Sequence, residues 1–361
     1  MTGALTRVLL AVLPARRRAL GEAVLAELAA VPPGRPRRAW IAGALWLSAR
    51  ELVTLPRVAL AAAAAACLRL GWAPGSTDPA TPIQRVGLLA IVVLLAASPL
   101  LSRARGDLGA VADSRVARVV RAGGYAALWA LLLVVICLSG YAGARFEHRS
   151  MTPANAAQWH SERVGGAVSG SLILFGVMAA YVAAILWLTS RRSPASPATL
   201  ALGGAWGVMG GILLYALMPV GSPVLPATPA AVDRLLLGVG VVGVPIAAGV
   251  MVARRAATAD DARAAGALAG LLTGGAGALA LVILTIPTML LFPSHVPLKW
   301  ANPDPSVPHG TRFEREMSVG DAADKYMGFL LLGPLLGITL GVVGGALTIV
   351  EPRTDDPRPV I

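Results

Sequence analysis

Long apolar runs are the feature of this sequence that most restricts its fold. Seven of them approach or exceed the roughly 20 residues that an α-helix needs to cross a membrane. Hydrophobic residues make up 56% of the 361 residues and charged ones only 14%, whereas soluble domains average about 25% charged residues. The sequence therefore predicts an all-α, polytopic helical membrane protein with spans at about 86–101, 122–143, 164–189, 199–220, 235–253, 265–292 and 327–349.

An eighth span is predicted at about 57–73, where the run RVALAAAAAACLRLGWA is rich in alanine and contains Arg69. Segment 102–121 carries five arginines and the N-terminal segment is also rich in arginine, so the positive-inside rule places both in the cytoplasm. Two cytoplasmic segments must be separated by an even number of crossings. We therefore expect 57–73 to span, with Arg69 near its outer end beside Trp72, and the chain to have about eight transmembrane helices.

Eight spans divide the chain into a cytoplasmic or interfacial segment at 1–56, a transmembrane domain at 57–349 and a cytoplasmic tail at 350–361. Both termini then face the cytoplasm. All but one unit of the formal net charge of +12 falls on the predicted inner segments, and Arg69 supplies the remainder, so we interpret the charge as a topology signal and expect no nucleic-acid partner. The predicted partner is the lipid bilayer, whose anionic headgroups this charge would attract.

One phrase occurs twice, about 166 residues apart. RFE followed by MTPANAAQW occupies 145–159, and RFE followed by MSVGDAADKY occupies 312–326. Both copies fall on the predicted outer side and lead into a span. The recurrence predicts two parallel four-helix halves, 57–189 and 199–349; the alternative is a chance recurrence in a chain of low complexity.

Both copies are also predicted to start helices. In the first, the hydroxyl of Thr152 stands before Pro153, which suits the first helical position. In the second, Ser318 and Asp321 have the spacing of a capping box. Such caps would provide partners for the first backbone N–H groups of a helix at the membrane edge.

Glycine recurs at every fourth residue in three of the predicted spans. This spacing lets the backbones of neighbouring transmembrane helices approach closely. Two interpretations remain, static packing and a moving interface in a transporter. The glycines are Gly203, Gly207 and Gly211, then Gly266, Gly270 and Gly274, then Gly333, Gly337, Gly341 and Gly345.

The N-terminal segment contains an amphipathic pattern. In LPARRRALGEAVLAELAAV at 13–31, Leu20, Val24 and Leu28 recur at every fourth residue, which predicts a helix lying on the inner leaflet. This helix is either a docking surface for a cytosolic partner, a regulator or an ATPase, or a membrane-surface anchor.

That stretch, an arginine cluster and AWIAGALWLSARE at 39–51 together resemble the N-terminal signature of polytopic membrane proteins from high-GC actinobacteria. The similar part covers about residues 7–51. Some of these proteins are found near PadR-type regulators, and most have no assigned activity. The resemblance implies a bacterial cytoplasmic membrane and a regulatory context, and it assigns no catalytic residue.

All four histidines, His148, His160, His295 and His309, fall on predicted outer segments close to carboxylates. Histidine and carboxylate are common metal ligands. The alternative, solvated loop histidines, is favoured because no HExxH motif or close histidine pair occurs, so we predict no metal site and no cofactor. Cys67 and Cys137 lie in apolar runs and form no cysteine cluster.

The predicted spans contain hydroxyls but no Asp or Glu in their cores. We expect these hydroxyls, Tyr181 among them, to bond to neighbouring helices or backbone carbonyls. No nucleotide-binding loop or serine-hydrolase motif is present, so the chain is not expected to be an enzyme. Two functions remain: a non-catalytic sensor, regulator or scaffold with a cytoplasmic N-terminal docking segment, and a permease for a small or lipophilic compound.

Overall fold

The computed structural model describes residues 55–72, 76–104, 110–147, 153–217, 238–256, 258–296 and 311–348, with scattered positions between 23 and 43. The chain divides into two units, Met1–Ala66 and Cys67–Ile361. Helices dominate the described ranges, where strand-like pairing is limited to an isolated antiparallel bridge between Val111 and Ser190. The predicted all-α fold is confirmed.

Eight α-helices have bounds that the structure defines, and each overlaps one predicted span. A π-helical turn, Val239–Gly243, leads directly into the sixth, and a 3-10 turn, Pro293–His295, follows the seventh. The helices are α1 Leu55–Gly71, α2 Thr81–Ala104, α3 Arg115–Glu147, α4 Pro153–Leu188, α5 Pro197–Leu217, α6 Val244–Ala253, α7 Ala259–Leu291 and α8 Arg312–Ala346.

Six of these helices are long and apolar enough to cross a membrane, as predicted for a polytopic chain. The qualifying segments are Thr81–Pro99, Arg115–Glu147, Asn155–Leu188, Pro197–Leu217, Ala259–Leu291 and Glu314–Ala346. Val58–Gly71 and Val239–Ala253 are apolar but shorter. Helices α3, α4, α7 and α8 have 33, 36, 33 and 35 residues. Since about 20 residues cross the hydrocarbon, these four extend beyond it by several turns.

Helix α7 packs against α5, α6 and α8, and α6 also packs against α5 and α8. Helix α3 contacts α5, α7 and α8, while α2 packs along α4. Glycine contacts fix the relative directions. Gly203 lies against Ala269 and Gly211 against Gly277, so α5 and α7 are parallel. Gly266 lies against Gly345 and Gly274 against Gly333, so α7 and α8 are antiparallel.

The α7–α8 interface is the closest backbone approach in the described bundle. Gly270 faces Gly337 so directly that a Cβ atom on either residue would overlap the other's carbonyl oxygen. Gly333 and Gly341 continue the same contact line toward Gly274 and Gly266. Only residues without a side chain allow this separation, which lets van der Waals contact run along both helices.

The predicted start of the last helix at Ser318 is wrong. Helix α8 begins at Arg312, and its N-cap is Thr311, whose hydroxyl accepts a hydrogen bond from the Glu314 amide at 3.2 Å. Thr311 and Glu314 have capping-box spacing, and the helix continues from there without a break. Ser318 is therefore buried within α8 and donates to the Glu314 carbonyl at 2.8 Å, while Asp321 lies less than a turn further on, also inside the helix.

The two copies of the repeated phrase take different local structures. The first RFE ends α3 at Glu147, whereas the second lies in the first turn of α8. Helix α4 begins at Pro153, the residue predicted for its first position, and Thr152 lies outside the described residues. The sequence recurrence is therefore not matched by a structural one around the RFE tripeptides.

Candidate binding groove

An apolar cavity of about 860 Å³ lies between α3 and α4 on one side and α5, α7 and α8 on the other. Its lining consists of Val, Leu, Ile, Ala, Gly and Pro side chains, with Arg115 and Tyr181 as the two polar exceptions. Ligand sites are typically concave, largely apolar and about 300–1,000 Å³ in volume. We call this cavity the groove; its lining comes from 115–127, 177–188, 200–208, 271–283 and 330–335.

The groove occupies one end of the helix bundle. The first residues of α3 and α5 and the last residues of α4 line it, so its mouth, the end marked by Arg115, lies where α3 begins. We call this the near end, and the opposite end, where α3 ends and α4 begins, the far end. From Arg115 to Ala127 the groove follows α3 for about 18 Å, at 1.5 Å per residue.

Two glycines widen the groove. A Cβ atom on Gly123 of α3 or on Gly204 of α5 would meet no other atom within 4 Å, and both residues line the cavity. They differ from Gly207, where a Cβ would lie 2.7 Å from the Thr273 carbonyl oxygen. Gly123 and Gly204 are thus positions where a larger side chain would fill the groove without striking a neighbouring backbone.

Tyr181 joins two walls of the groove, α4 and α8. Its hydroxyl donates a 3.1 Å hydrogen bond to the carbonyl of Leu330 in α8. In a regular α-helix that carbonyl would accept the N–H of the fourth residue onward, but this residue is Pro334, which has none. Tyr181 supplies the missing donor. A parallel case occurs in α2, where Ser98 donates to the Leu95 carbonyl, four residues before Pro99, at 3.0 Å.

The near end of the groove is positively charged. Arg115 lines the cavity and its side chain is exposed, and Arg118 lies exposed one helical turn further on. Arg121 is instead buried, and its guanidinium donates to the Thr189 hydroxyl at 2.7 Å and to the Leu186 carbonyl at 3.1 Å. It thereby satisfies backbone and side-chain oxygens at the C-terminal end of α4.

A short backbone pairing holds the near ends of α3 and α4 together. The Ala112 amide donates to the Thr189 carbonyl at 3.0 Å, and the Arg191 amide donates to the Ala110 carbonyl at 3.1 Å. Arg191 also pairs with Asp113 at 3.1 Å, between two exposed side chains. This pairing positions the start of α3, and with it Arg115, at the mouth of the groove.

Polar contacts outside the groove connect the chain segments at the far end of the bundle. The Asp78 side chain is fully buried and forms an ion pair with Arg163 of α4. The Glu147 carboxylate at the end of α3 accepts hydrogen bonds from the Ser76 hydroxyl at 2.8 Å and the Thr77 amide at 3.0 Å. These contacts join the segment before α2 to both α3 and α4.

A second far-end contact joins α3 to α8. Arg145 donates to the Glu316 carbonyl at 3.1 Å. A Cβ atom on Gly320 would lie 2.8 Å from the same guanidinium nitrogen, so the arginine crosses α8 at this glycine. Two helices that border the groove, α3 and α8, are therefore also linked directly to each other at the far end.

The structure describes two of the four histidines, His160 and His295. His160 is exposed and its ring contacts the ring of Phe146, with centroids 5.5 Å apart. His295 lies in the 3-10 turn after α7, and His148 and His309 are outside the described residues. Among the residues that the structure describes, no group of three or more His, Cys, Asp or Glu side chains could hold a metal ion.

Of the residues that shape the groove, Tyr181 was predicted to bond to a neighbouring helix or a backbone carbonyl, whereas Arg115, Gly123 and Gly204 have no distinguishing sequence pattern. The bond made by Tyr181 has a signal in the sequence. Pro334 leaves the Leu330 carbonyl without its helical N–H donor, and a hydroxyl in another span can supply a donor instead. No family model, curated protein or solved structure matches this chain.

Proposed function

We propose that this protein is a membrane permease for a lipophilic compound, which it binds in the groove between two four-helix halves, 57–189 and 199–349. The observation that carries the proposal is the groove itself. Its walls come from α3 and α4 of the first half and from α5, α7 and α8 of the second. A cavity between two halves suits alternating access.

Eight spans are part of this proposal. Besides the six long helices, α1 and the helix at 239–253 coincide with predicted spans and are apolar. With 17 residues, α1 reaches about 25 Å, near the lower limit for a span. The antiparallel contact of α7 with α8 and the parallel contact of α5 with α7 agree with alternating crossings. The arginine-rich segments then place both termini in the cytoplasm.

The groove lining supports binding rather than catalysis. Its one hydroxyl, on Tyr181, is engaged by the Leu330 carbonyl, and its one charged group is Arg115 at the mouth. Apolar walls favour a ligand through the area that it removes from water or from loosely packed lipid. The proposed substrate is therefore recognised by its apolar surface, and the protein is not an enzyme.

The N-terminal segment keeps its predicted role as a docking surface. A regulator or an ATPase in the cytosol would bind there, and the sensor, regulator or scaffold interpretation depends on the same segment. Residues 1–54 are described only at scattered positions, so the role stays a prediction. Deleting residues 1–38 tests it: loss of the cellular phenotype with normal membrane insertion is expected, and an unchanged phenotype would remove the docking role.

The permease proposal is tested by filling the groove. Gly123→Leu and Gly204→Leu place a side chain into open space in the lining, and Gly140→Leu is the matched control. Gly140 lies in α3, is equally open and is not part of the groove. Purified protein would be titrated with a fluorescent lipophilic amine such as N-phenyl-1-naphthylamine. We expect about tenfold weaker binding for the first two variants and no change for the control. Equal binding by all four proteins would contradict the proposal.

A further inference from the structure

We propose that the groove takes an anionic phospholipid from the leaflet at the near end, with the phosphate at Arg115 and an acyl chain extending toward Tyr181. This inference rests on the proposed function and names its substrate class. Four features carry it: the polarity of the groove, its length, the charge at its mouth and the distribution of that charge.

The groove is polar at one end only. Arg115 stands at the mouth, and the rest of the lining on all five helices is apolar except for Tyr181, whose hydroxyl is engaged by the Leu330 carbonyl. A ligand that matches this lining carries one charged group at one terminus and an apolar tail. An apolar molecule without a headgroup would leave Arg115 unused.

The length of the groove is similar to the thickness of the hydrocarbon region of one lipid leaflet. The stretch from Arg115 to Ala127 follows α3 for about 18 Å, and one leaflet contributes about half of the roughly 30 Å hydrocarbon core. The deepest lining residue of α3, Ala127, therefore lies near the depth at which an acyl chain of that leaflet ends.

The mouth is suited to an anion. No hydrogen bond or ion pair within the described residues engages the Arg115 side chain. The nearest carboxylate in sequence, Asp113, is paired with Arg191 through both oxygens, at 3.1 and 3.2 Å. A guanidinium binds phosphate through two parallel hydrogen bonds, and anionic headgroups attract basic residues at the membrane surface. The N-terminal end of the 33-residue α3 adds a favourable dipole.

Only one of the two exposed arginines near the mouth lines the groove. Arg115 lines the groove, whereas Arg118, one turn away and also exposed, does not. A generic attraction between the membrane surface and basic residues would involve both arginines alike. A lipid seated in the groove would depend on Arg115 much more than on Arg118, so the two residues form a matched pair for testing.

The test compares phosphatidylglycerol with phosphatidylcholine of identical acyl chains, bound to the purified full chain and measured by native mass spectrometry. Wild type is expected to prefer phosphatidylglycerol by about tenfold, the size of a charged hydrogen bond. Arg115→Gln should lose this preference and Arg118→Gln should keep it within about twofold. Arg115→Lys should retain part of it, and Gly123→Leu should weaken both lipids.

The outcomes separate the two proposals. Equal affinity of wild type for both lipids, with both still weakened by Gly123→Leu, would overturn the anionic inference and leave the groove proposal standing. Equal loss of preference in Arg115→Gln and Arg118→Gln would also overturn it, because the attraction would then be a general surface effect. Binding of both lipids that is insensitive to Gly123→Leu and Gly204→Leu would overturn the groove proposal itself.

Discussion

The hydroxyl of Tyr181 in α4 donates its hydrogen bond to the backbone carbonyl of Leu330 in α8, at 3.1 Å. That carbonyl has no donor within its own helix because Pro334 lacks an N–H group. One side chain thus supplies the donor that proline removes from a neighbouring helix, and the same side chain lines the groove. In a membrane interior the correction matters, since no bulk water is present to bond the carbonyl.

Removing this hydroxyl should destabilise the protein. Tyr181→Phe leaves the Leu330 carbonyl unsatisfied in a buried position, and we expect the free energy of unfolding to fall by about 1–2 kcal/mol. The measurement is denaturant unfolding in detergent micelles. Tyr215→Phe is the control, because its partner Thr288 also bonds the Leu284 carbonyl, so the loss there should be smaller.

A double-mutant cycle tests the cause of that effect. Pro334→Ala restores the N–H group that can bond the Leu330 carbonyl within α8. In this background Tyr181→Phe should cost clearly less than it does in wild type, with a coupling energy of at least about 0.5 kcal/mol. Additive effects of the two substitutions would show that the proline and the tyrosine act independently.

The α7–α8 contact predicts a strong position dependence for glycine substitutions. Gly337→Leu places a side chain into the backbone of Gly270, which cannot move aside without separating the helices. We expect a loss of at least about 2 kcal/mol or failure to fold. Gly328→Leu is the control in the same helix, since a Cβ there meets nothing within 4 Å. A folded, fully stable Gly337→Leu protein would refute the close approach.

The far-end ion pair should contribute more than the near-end one. Asp78→Ala removes a fully buried carboxylate that pairs with Arg163 and accepts the Ala80 amide at 2.9 Å. We expect it to lower the free energy of unfolding by about 2 kcal/mol or more. Asp113→Ala breaks the exposed pair with Arg191 and should change it by less than about 1 kcal/mol. Equal effects of the two substitutions, measured in the same denaturant series, would contradict this ranking.

The predicted orientation can be checked by labelling whole cells. In a background with Cys67→Ala and Cys137→Ala, a cysteine is introduced at Asp113 or at His160, both of which are exposed. A membrane-impermeant maleimide should label the His160→Cys protein from outside and should reach the Asp113→Cys protein only after permeabilisation. The reverse pattern would invert the topology and move the groove to the outer leaflet.

The helices were predictable from the sequence because an apolar run of membrane-spanning length has few alternatives. The start of α8 was not, because two S/T-x-x-D/E patterns, at Thr311 and at Ser318, stand seven residues apart. Local spacing alone does not rank them. The longer helix forms because no helix breaker such as proline separates the two patterns.

The groove could not be predicted from the sequence. In a helix that is apolar on every side, hydrophobic periodicity does not distinguish the face that meets lipid from the face that meets another helix. Gly204 and Gly207 are three residues apart in α5, yet one opens into the cavity and the other touches the backbone of α7. Only the tertiary arrangement separates them.

Photolabelling tests the central claim, a ligand-binding groove between α3–α4 and α5–α8, most directly. The purified protein would be labelled with a diazirine-bearing phosphatidylglycerol and the modified residues mapped by mass spectrometry. We expect modification within 115–127, 177–188 and 200–208, suppressed by excess unlabelled phosphatidylglycerol and by Gly123→Leu. Modification spread evenly over exposed helix faces such as Val93 and Leu172, with no effect of competitor or of Gly123→Leu, would contradict the account.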